Sequence, residues 1–303
     1  MNSNMFFLLG AKDPEMIGIE EILTELNLEF EYATVSGVQC NPTNAYQADN
    51  ILPKGKNYVF IECRHIVKSG ISIDHHNEND YGYSLNYSKF LDASSIGQLF
   101  KFLVKNNIAE AKENLALSIT YEIDSAEDDF YFLDNQWLLN IDNYAIIIPE
   151  HIVTMSAIDH CLSDAYKGLC LGVNSKNIFR EQVNGIGKKF NLDKKSLSYK
   201  IKQYNYYLKN NNTSNIIDLT DINLGIGYSL DYLLLRELSL YSNKSIAIKT
   251  KNDKFEENYK LMLIGLSYIQ VSNFLKESKY ESFNLSNVFG VPARGYAGGI
   301  IKR

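Results

Sequence analysis

The sequence lacks what a membrane protein, a disulfide-bonded domain or a duplex-binding protein would need. No uninterrupted apolar run approaches the roughly 18 residues of a spanning helix, so nothing places the chain in a membrane. The apolar stretch Met5-Phe6-Phe7-Leu8-Leu9-Gly10 is too short for the apolar region and cleavage site of a signal peptide, and no basic segment precedes it. It reads instead as a buried first strand. The four cysteines, Cys40, Cys63, Cys161 and Cys170, show no CxxC spacing, which excludes a zinc knuckle and a disulfide framework and makes a reducing cytoplasm the expected compartment. Lys and Arg form no long run, and the net charge is −6, so no duplex footprint is expected. A short anion stays open, because a local metal site with a few Lys or Arg attracts phosphate despite an acidic surface.

What is present is an ordinary globular composition, 45% hydrophobic and 22% charged, over 303 residues. That length predicts one large α/β unit or two lobes with a cleft. The 21 tyrosines, with many Asn and Lys, read as coding bias.

Short β-rich runs alternate with helical patterns in the first half, as in a parallel sheet with helices on both faces. Residues 5–9 form the first strand. Asp13-Pro14-Glu15 then opens a helix, with Asp13 as cap and Ile17, Ile22, Leu23 and Leu26 on its buried face. Further strands are expected at Phe30 to Thr34, Tyr58 to Ile61 and Ile71 to Ile73, and Ala93-Ser94-Ser95 caps a helix through Leu103. Residues 115–148 read as an inserted set of antiparallel hairpins, and Pro149-Glu150 starts a helix containing Asp159, His160 and Cys161. Helices at 175–190 and 194–209 follow, both rich in Lys. Strands are then expected near 214–219 and 244–250, helices near 229–242 and 256–277, and a final loop from Gly290 to Gly299. The expected division is a metal-binding lobe over 1–170, a helical connector over 171–212 and a smaller C-terminal α/β lobe over 213–303 that binds substrate.

Only five histidines occur, and two of them follow an aspartate at the end of an apolar strand. Side chains leave the ladder at the carboxyl ends of strands in an open α/β sheet, and functional groups gather there. Those ends here supply Asp13 and Glu15, then Glu62, then Asp74, His75 and His76. Oxygen and imidazole donors without thiolate suit Mn²⁺ or Mg²⁺, and two ions about 3.5 to 4 Å apart would clamp a phosphoryl group.

Ile71-Ser72-Ile73-Asp74-His75-His76-Asn77 resembles the name-giving motif of the DHH phosphoesterase superfamily. Its members include manganese pyrophosphatases, single-strand exonucleases and small-oligonucleotide or cyclic-dinucleotide phosphodiesterases. Leu8 to Glu15 looks like the family's first motif and Phe60-Ile61-Glu62-Cys63 like its second. Ala93 to Leu99 looks like the helix after the triplet, and Asp159-His160-Cys161 with Asp164 lies where the fourth motif belongs. The likeness covers residues 5–168. It departs from the pattern in lacking the first motif's histidine and in having Glu15 and Glu62 where Asp is usual.

The resemblance implies a DHH-like α/β fold and hydrolysis of a phosphoanhydride or phosphodiester in a small phosphate-containing substrate, with a short single-stranded oligonucleotide among the candidates. It implies Asp13, Glu15, Glu62, Asp74, His75 and Asp159 as ligands of two Mn²⁺ or Mg²⁺ ions, with His75 and His76 as catalytic groups. His160, Arg294, Gly298 and Gly299 are candidate substrate contacts; Arg294 offers a fork-shaped phosphate donor. Blander readings stand beside these. Asp13 is also a plain helix cap, Glu62 a strand-end residue, and Asp159 with His160 a surface pair. Cys63 and Cys161 read as small buried hydrophobes, His65 and His151 as structural, and Lys188-Lys189 and Lys194-Lys195 as a solvated helix face. Two rivals keep the fold: an interaction or nucleotide-binding module whose altered motifs no longer assemble two metals, and a group-transfer enzyme acting on a modified nucleotide.

Overall fold

The computed structural model describes residues 4–83, 85–106, 119–122, 130–141, 144–210, 216–218, 230–251, 259–280, 283–291 and 295–301. Two compact units divide the chain, one comprising 1–160 and 170–173, the other 161–169 and 174–303.

The first unit begins with β1 (Met5–Leu9), α1 (Pro14–Glu25), β2 (Phe30–Tyr32), a small hairpin of β3 (Thr34–Val35) and β4 (Val38–Gln39), then β5 (Asn57–Ile61) and β6 (Ile71–Ile73). Strands β2, β1, β5 and β6 form a parallel sheet in that order. Phe7, Leu8 and Leu9 are fully buried, the continuous apolar run expected of a strand covered on both faces. Phe6, Leu8 and Phe60 pack on Ala33, Cys40, Ala45, Ala48 and Leu52, a layer that includes the short helical turn Ala45–Gln47. α1 begins as the sequence implies, with Asp13 Oδ1 accepting from the Met16 amide at 2.9 Å. Its inner face differs by one register. Met16 and Ile19 join Ile22 and Leu23 in the core, and Ile17 is only half-buried.

The strand ends are level. Leu9 pairs with Ile61 and Ile61 with Ile73, so Gly10, Glu62 and Asp74 leave three neighbouring strands at one height. α2 (Phe90–Ala93) and α3 (Ser95–Lys105) follow, and Ser94 caps α3 by accepting from the Gly97 amide at 3.2 Å. The hairpins are β7 (Ile119–Glu122), β8 (Phe130–Leu133), β9 (Gln136–Ile141) and β10 (Tyr144–Ile147), an antiparallel sheet ordered β7-β10-β9-β8. Trp137 of β9 stacks edge-on against Phe90 and Phe132, and its indole donates to the Leu171 carbonyl at 2.7 Å. α4 (Glu150–Tyr166) loses helical geometry at Cys161, the residue where the two units divide.

The second unit contains α5 (Ser175–Lys189), α6 (Lys194–Asn210), β11 (Ile216–Asp218), α7 (Leu230–Tyr241), β12 (Ile246–Lys251), β13 (Tyr259–Ile264), α8 (Tyr268–Glu277), β14 (Lys279–Tyr280), β15 (Phe283–Val291) and β16 (Tyr296–Ile301). Its six-stranded sheet runs β11-β12-β13-β16-β15-β14. Ala247, Leu261, Leu263, Val271, Phe274, Leu285 and Ala297 form its core.

Two expectations fail here. The helix expected over 256–277 is strand β13 followed by α8, broken at Gly265, whose φ of +76 no helix accommodates. Within the expected terminal loop from Gly290 to Gly299, residues 290–291 end β15 and 296–299 belong to β16, paired antiparallel, while 292–294 lie outside the described residues. A Cβ on Gly298 would lie 2.5 Å from the Leu261 carbonyl oxygen and 2.6 Å from the Phe289 ring. Glycine therefore serves close strand and side-chain approach at that position. The four cysteines are buried and form no disulfide, and no described helix is long and apolar enough to cross a membrane.

Candidate metal centre

The centre lies in the first unit, where the level strand ends meet the N-termini of α1 and α3 and one turn of α4. Glu15, in the first turn of α1, points inward and is 2% exposed. Its Oε1 accepts from the Ile96 amide at 2.7 Å, meeting one of the donors that the start of α3 leaves without a helical partner. Its Oε2 is buried and accepts no hydrogen bond from a described residue.

Glu62 follows β5 directly with a left-handed φ of +50. Such a backbone is uncommon in a non-glycine residue, and here it aims the carboxylate back over the strand ends. Oε1 accepts from the Ser95 hydroxyl at 2.9 Å and lies 3.9 Å from Nδ1 of both His75 and His76.

Asp74 is 2% exposed, and the protein engages both of its oxygens. Oδ1 accepts from the His75 and His76 amides at 2.7 and 3.0 Å and from His76 Nδ1 at 3.0 Å, while Oδ2 accepts from the Tyr46 hydroxyl at 2.9 Å. Burial pushes the Asp74 pKa upward, but the hydrogen bonds from His76 and Tyr46 outweigh it and hold the carboxyl below its ordinary value. The phenol of Tyr46 is pushed up by burial and by Asp74. A proton on Nδ1 shared with Asp74 leaves Nε2 as the lone-pair nitrogen of His76 whenever that ring is neutral.

His75 lies between two acids, with Nε2 3.2 Å from Asp159 Oδ2 and Nδ1 facing Glu62. Its ring stacks on His76 at 4.3 Å and meets His160 edge-on at 5.8 Å. His160 in turn donates from Nε2 to the Leu85 carbonyl at 2.7 Å. Gly82 allows this packing, since a Cβ there would come within 2.7 Å of His75 Cβ.

Two sets of donor atoms result, each with its members within 4.8 Å of one another: Glu62, His75 and His76, and Glu15, Glu62 and Asp159. Glu62 belongs to both. The electrostatics are those of crowded, buried anions, which His76 and the Ser95 hydroxyl offset only in part. Burial first, then the charges of Asp159 and Asp13, push Glu62 up to about 8. Glu15 is raised well above its ordinary value by burial, then by Asp159, Glu62 and Asp13. Protons keep such a cluster neutral until a cation replaces them. The donors fit a divalent ion. They are carboxylate and imidazole, Glu15 Oε2 is buried without a donor, and the neighbouring Cys63 is excluded as a thiolate because burial raises its pKa and Sγ donates to the Leu8 carbonyl at 3.2 Å.

Asp13 caps α1 and stands in neither donor set, though its charge reaches both Glu15 and Glu62. Asp74 also stands in neither set. Gly298 and Gly299 lie in β16 of the second unit, and Arg294 lies outside the described residues. Two residues of the centre, Tyr46 and Ser95, carry no signal of their role in the sequence. Tyr46 sits 28 residues before Asp74 in the short helical turn Ala45–Gln47, with no motif around it. Ser95 reads only as part of a cap, whereas its hydroxyl turns to Glu62 while Ser94 does the capping.

The fold and the centre thus define an α/β protein with a carboxylate and histidine cluster, buried except at His76, that could hold a metal ion. Among solved structures the chain is similar to a "pGpG-specific phosphodiesterase - PggH from Vibrio cholrae", with 12% identity, 98% of this chain and 92% of that chain covered, and a TM-score of 0.37. At those values the likeness assigns neither activity nor substrate to this chain. No family model matches, and neither does any curated protein.

Proposed function

We propose that the protein is a divalent-metal-dependent hydrolase of a phosphoanhydride or phosphodiester in a small substrate, such as a nucleotide, a short oligonucleotide or pyrophosphate. The observation that carries this reading is Glu62, shared between two donor sets of oxygen and imidazole. Glu15, Glu62 and Asp159 would hold one Mn²⁺ or Mg²⁺ ion, and Glu62, His75 and His76 a second. Bound there, such ions polarise a phosphoryl oxygen and make a water molecule acidic enough to be a nucleophile.

The chain's own groups prepare the site. Asp74 fixes the tautomer of His76, and Tyr46 holds the second oxygen of Asp74 so that the carboxylate cannot rotate away. Ser95 and the Ile96 amide hold Glu62 and Glu15 at the start of α3. His160, tied to the Leu85 carbonyl, walls the open edge of His75. Most of these groups are buried, so charges placed among them interact in a medium of low dielectric.

A second reading, a nucleotide-binding module without turnover, is favoured by one observation: both Asp74 oxygens are met by the protein itself, which leaves fewer carboxylate oxygens for metal. Metal analysis and a hydrolysis screen separate the two. The hydrolase reading expects purified protein to take up Mn²⁺ and to release product from pyrophosphate, linear dinucleotides or cyclic dinucleotides. It expects Asp159→Asn to lose both properties while keeping its fold. Absence of metal uptake would end the metal reading and favour the module, and uptake without turnover on any of these substrates would also count against the hydrolase.

A further inference from the structure

We propose that one face of α6 is a binding surface for single-stranded nucleic acid. Lys195, Tyr199, Lys202, Tyr206 and Lys209 alternate along the helix at heptad-like spacing. At 3.6 residues per turn they fall in a stripe about 80° wide, with successive lysines about 10.5 Å apart. All five are exposed, Tyr199 at 70% and Tyr206 at 74%.

The opposite face is the one that anchors the helix. Leu197 and Leu208 are buried, Lys200 Nζ lies 3.1 Å from Asp231 Oδ1 of α7, and the Tyr204 hydroxyl donates to the same carboxylate. Lys244 Nζ donates to the Leu208 carbonyl at 2.8 Å. Residues 194–210 contain no Asp or Glu, in a protein whose net charge is −6. A solvated helix face in an acidic protein ordinarily carries both signs, because opposite charges four residues apart stabilise the helix. A stripe of one sign interleaved with exposed rings follows a different rule. Ammonium groups meet a backbone of phosphates, and phenol rings offer flat faces on which bases stack.

The chemistry selects the occupant. A duplex keeps its base faces inside its own stack, so the tyrosines would gain little from it. A lipid surface would need an aliphatic or tryptophan face to insert, and here the aliphatic residues Leu197 and Leu208 face the interior of the unit. Single strands alone use both halves of the stripe. The surface is independent of the metal centre, since it belongs to other residues in the other unit.

The test is fluorescence anisotropy with the full chain and a labelled oligothymidine of about 12 nucleotides, in chelator so that no turnover intervenes, at about 50 mM salt. Wild type should bind the strand more tightly than a duplex of equal length, and anionic phosphatidylserine vesicles should not be bound. Tyr199→Ala with Tyr206→Ala should weaken binding on the order of tenfold to a hundredfold, whereas Tyr199→Phe with Tyr206→Phe, which keeps the rings, should retain it. Replacing Lys195, Lys202 and Lys209 by Gln should flatten the slope of log affinity against log salt by about 2, at about 0.7 for each phosphate contact. Unchanged thermal melts would show that these surface variants fold. The proposal is overturned if wild type fails to bind the strand at about 100 μM protein, if the paired alanine variant binds as well as wild type, or if vesicles or duplex bind better. None of these readouts depends on hydrolysis, so failure of the metal reading and failure of this one are told apart.

Discussion

Glu62→Gln should make the metal-free protein more stable in mild alkali and abolish its stabilisation by divalent cations. Glu62 rises from an ordinary 4.5 to about 8, through burial and then through Asp159 and Asp13. Glu15 moves in the same direction. An acid raised in the folded state keeps a proton that the unfolded chain has already released. Stability is therefore full below about pH 4.5 and falls as pH rises towards about 8. At about 1.4 kcal/mol per pH unit, Glu62 alone corresponds to a loss of roughly 5 kcal/mol across that window. Glutamine keeps the size and can still accept from Ser95, yet it has no proton to lose. Trp137, the single tryptophan, is buried in the first unit, so its fluorescence in urea follows the unit that carries the site. Chelator-treated wild type should lose stability steadily between about pH 5 and about pH 8, the variant should lose much less, and Mn²⁺ should stabilise only wild type at the alkaline end. A flat wild-type profile, or equal slopes in the two proteins, would refute the reasoning.

Tyr46→Phe removes the donor to Asp74 Oδ2 and should cost about 1 to 2 kcal/mol in the same urea assay. It should also weaken Mn²⁺ uptake several-fold, because Asp74 is then free to release His76; an unchanged metal titration would reduce Tyr46 to packing. Gly298→Ala forces a Cβ against the Leu261 carbonyl and the Phe289 ring and should destabilise the second unit by about 1 to 3 kcal/mol. Circular dichroism melts should record that loss while Trp137 fluorescence stays native, and equal melts would show that the strands tolerate the methyl group.

The parallel sheet was legible because β1 and the end of β5 are short apolar runs of buried residues, and because Asp13-Pro14 marks a helix start chemically. Two acids of the candidate centre were visible in the sequence as the first polar residues after β5 and β6, Glu62 and Asp74. Two kinds of information were hidden. Tyr46, Ser95 and the Leu85 carbonyl act through contacts far apart in sequence, and nothing local announces such contacts. In the second unit, Tyr259-Lys260-Leu261-Met262-Leu263-Ile264 has residues that suit a helix, but antiparallel pairing to β12 and β16 on its two sides decides for strand. The signal for the true helix was present in Ser267 and Gln270, which form a reciprocal capping box at the start of α8. The glycines of β16 misled because glycine is read as a loop former, whereas here it makes room between strands.

The left-handed backbone at Glu62 sets what a search for stability would do to this protein. Glycine would relax that conformation without penalty and asparagine nearly so, while glutamate bears about 1 to 2 kcal/mol there and adds a buried carboxylate that repels its neighbours. A library of variants sorted only for heat resistance in chelator should therefore converge on Glu62→Gly and Glu62→Asn. The same library sorted for growth that depends on metal-bound activity should keep Glu62 and accumulate its compensations elsewhere in the sheet.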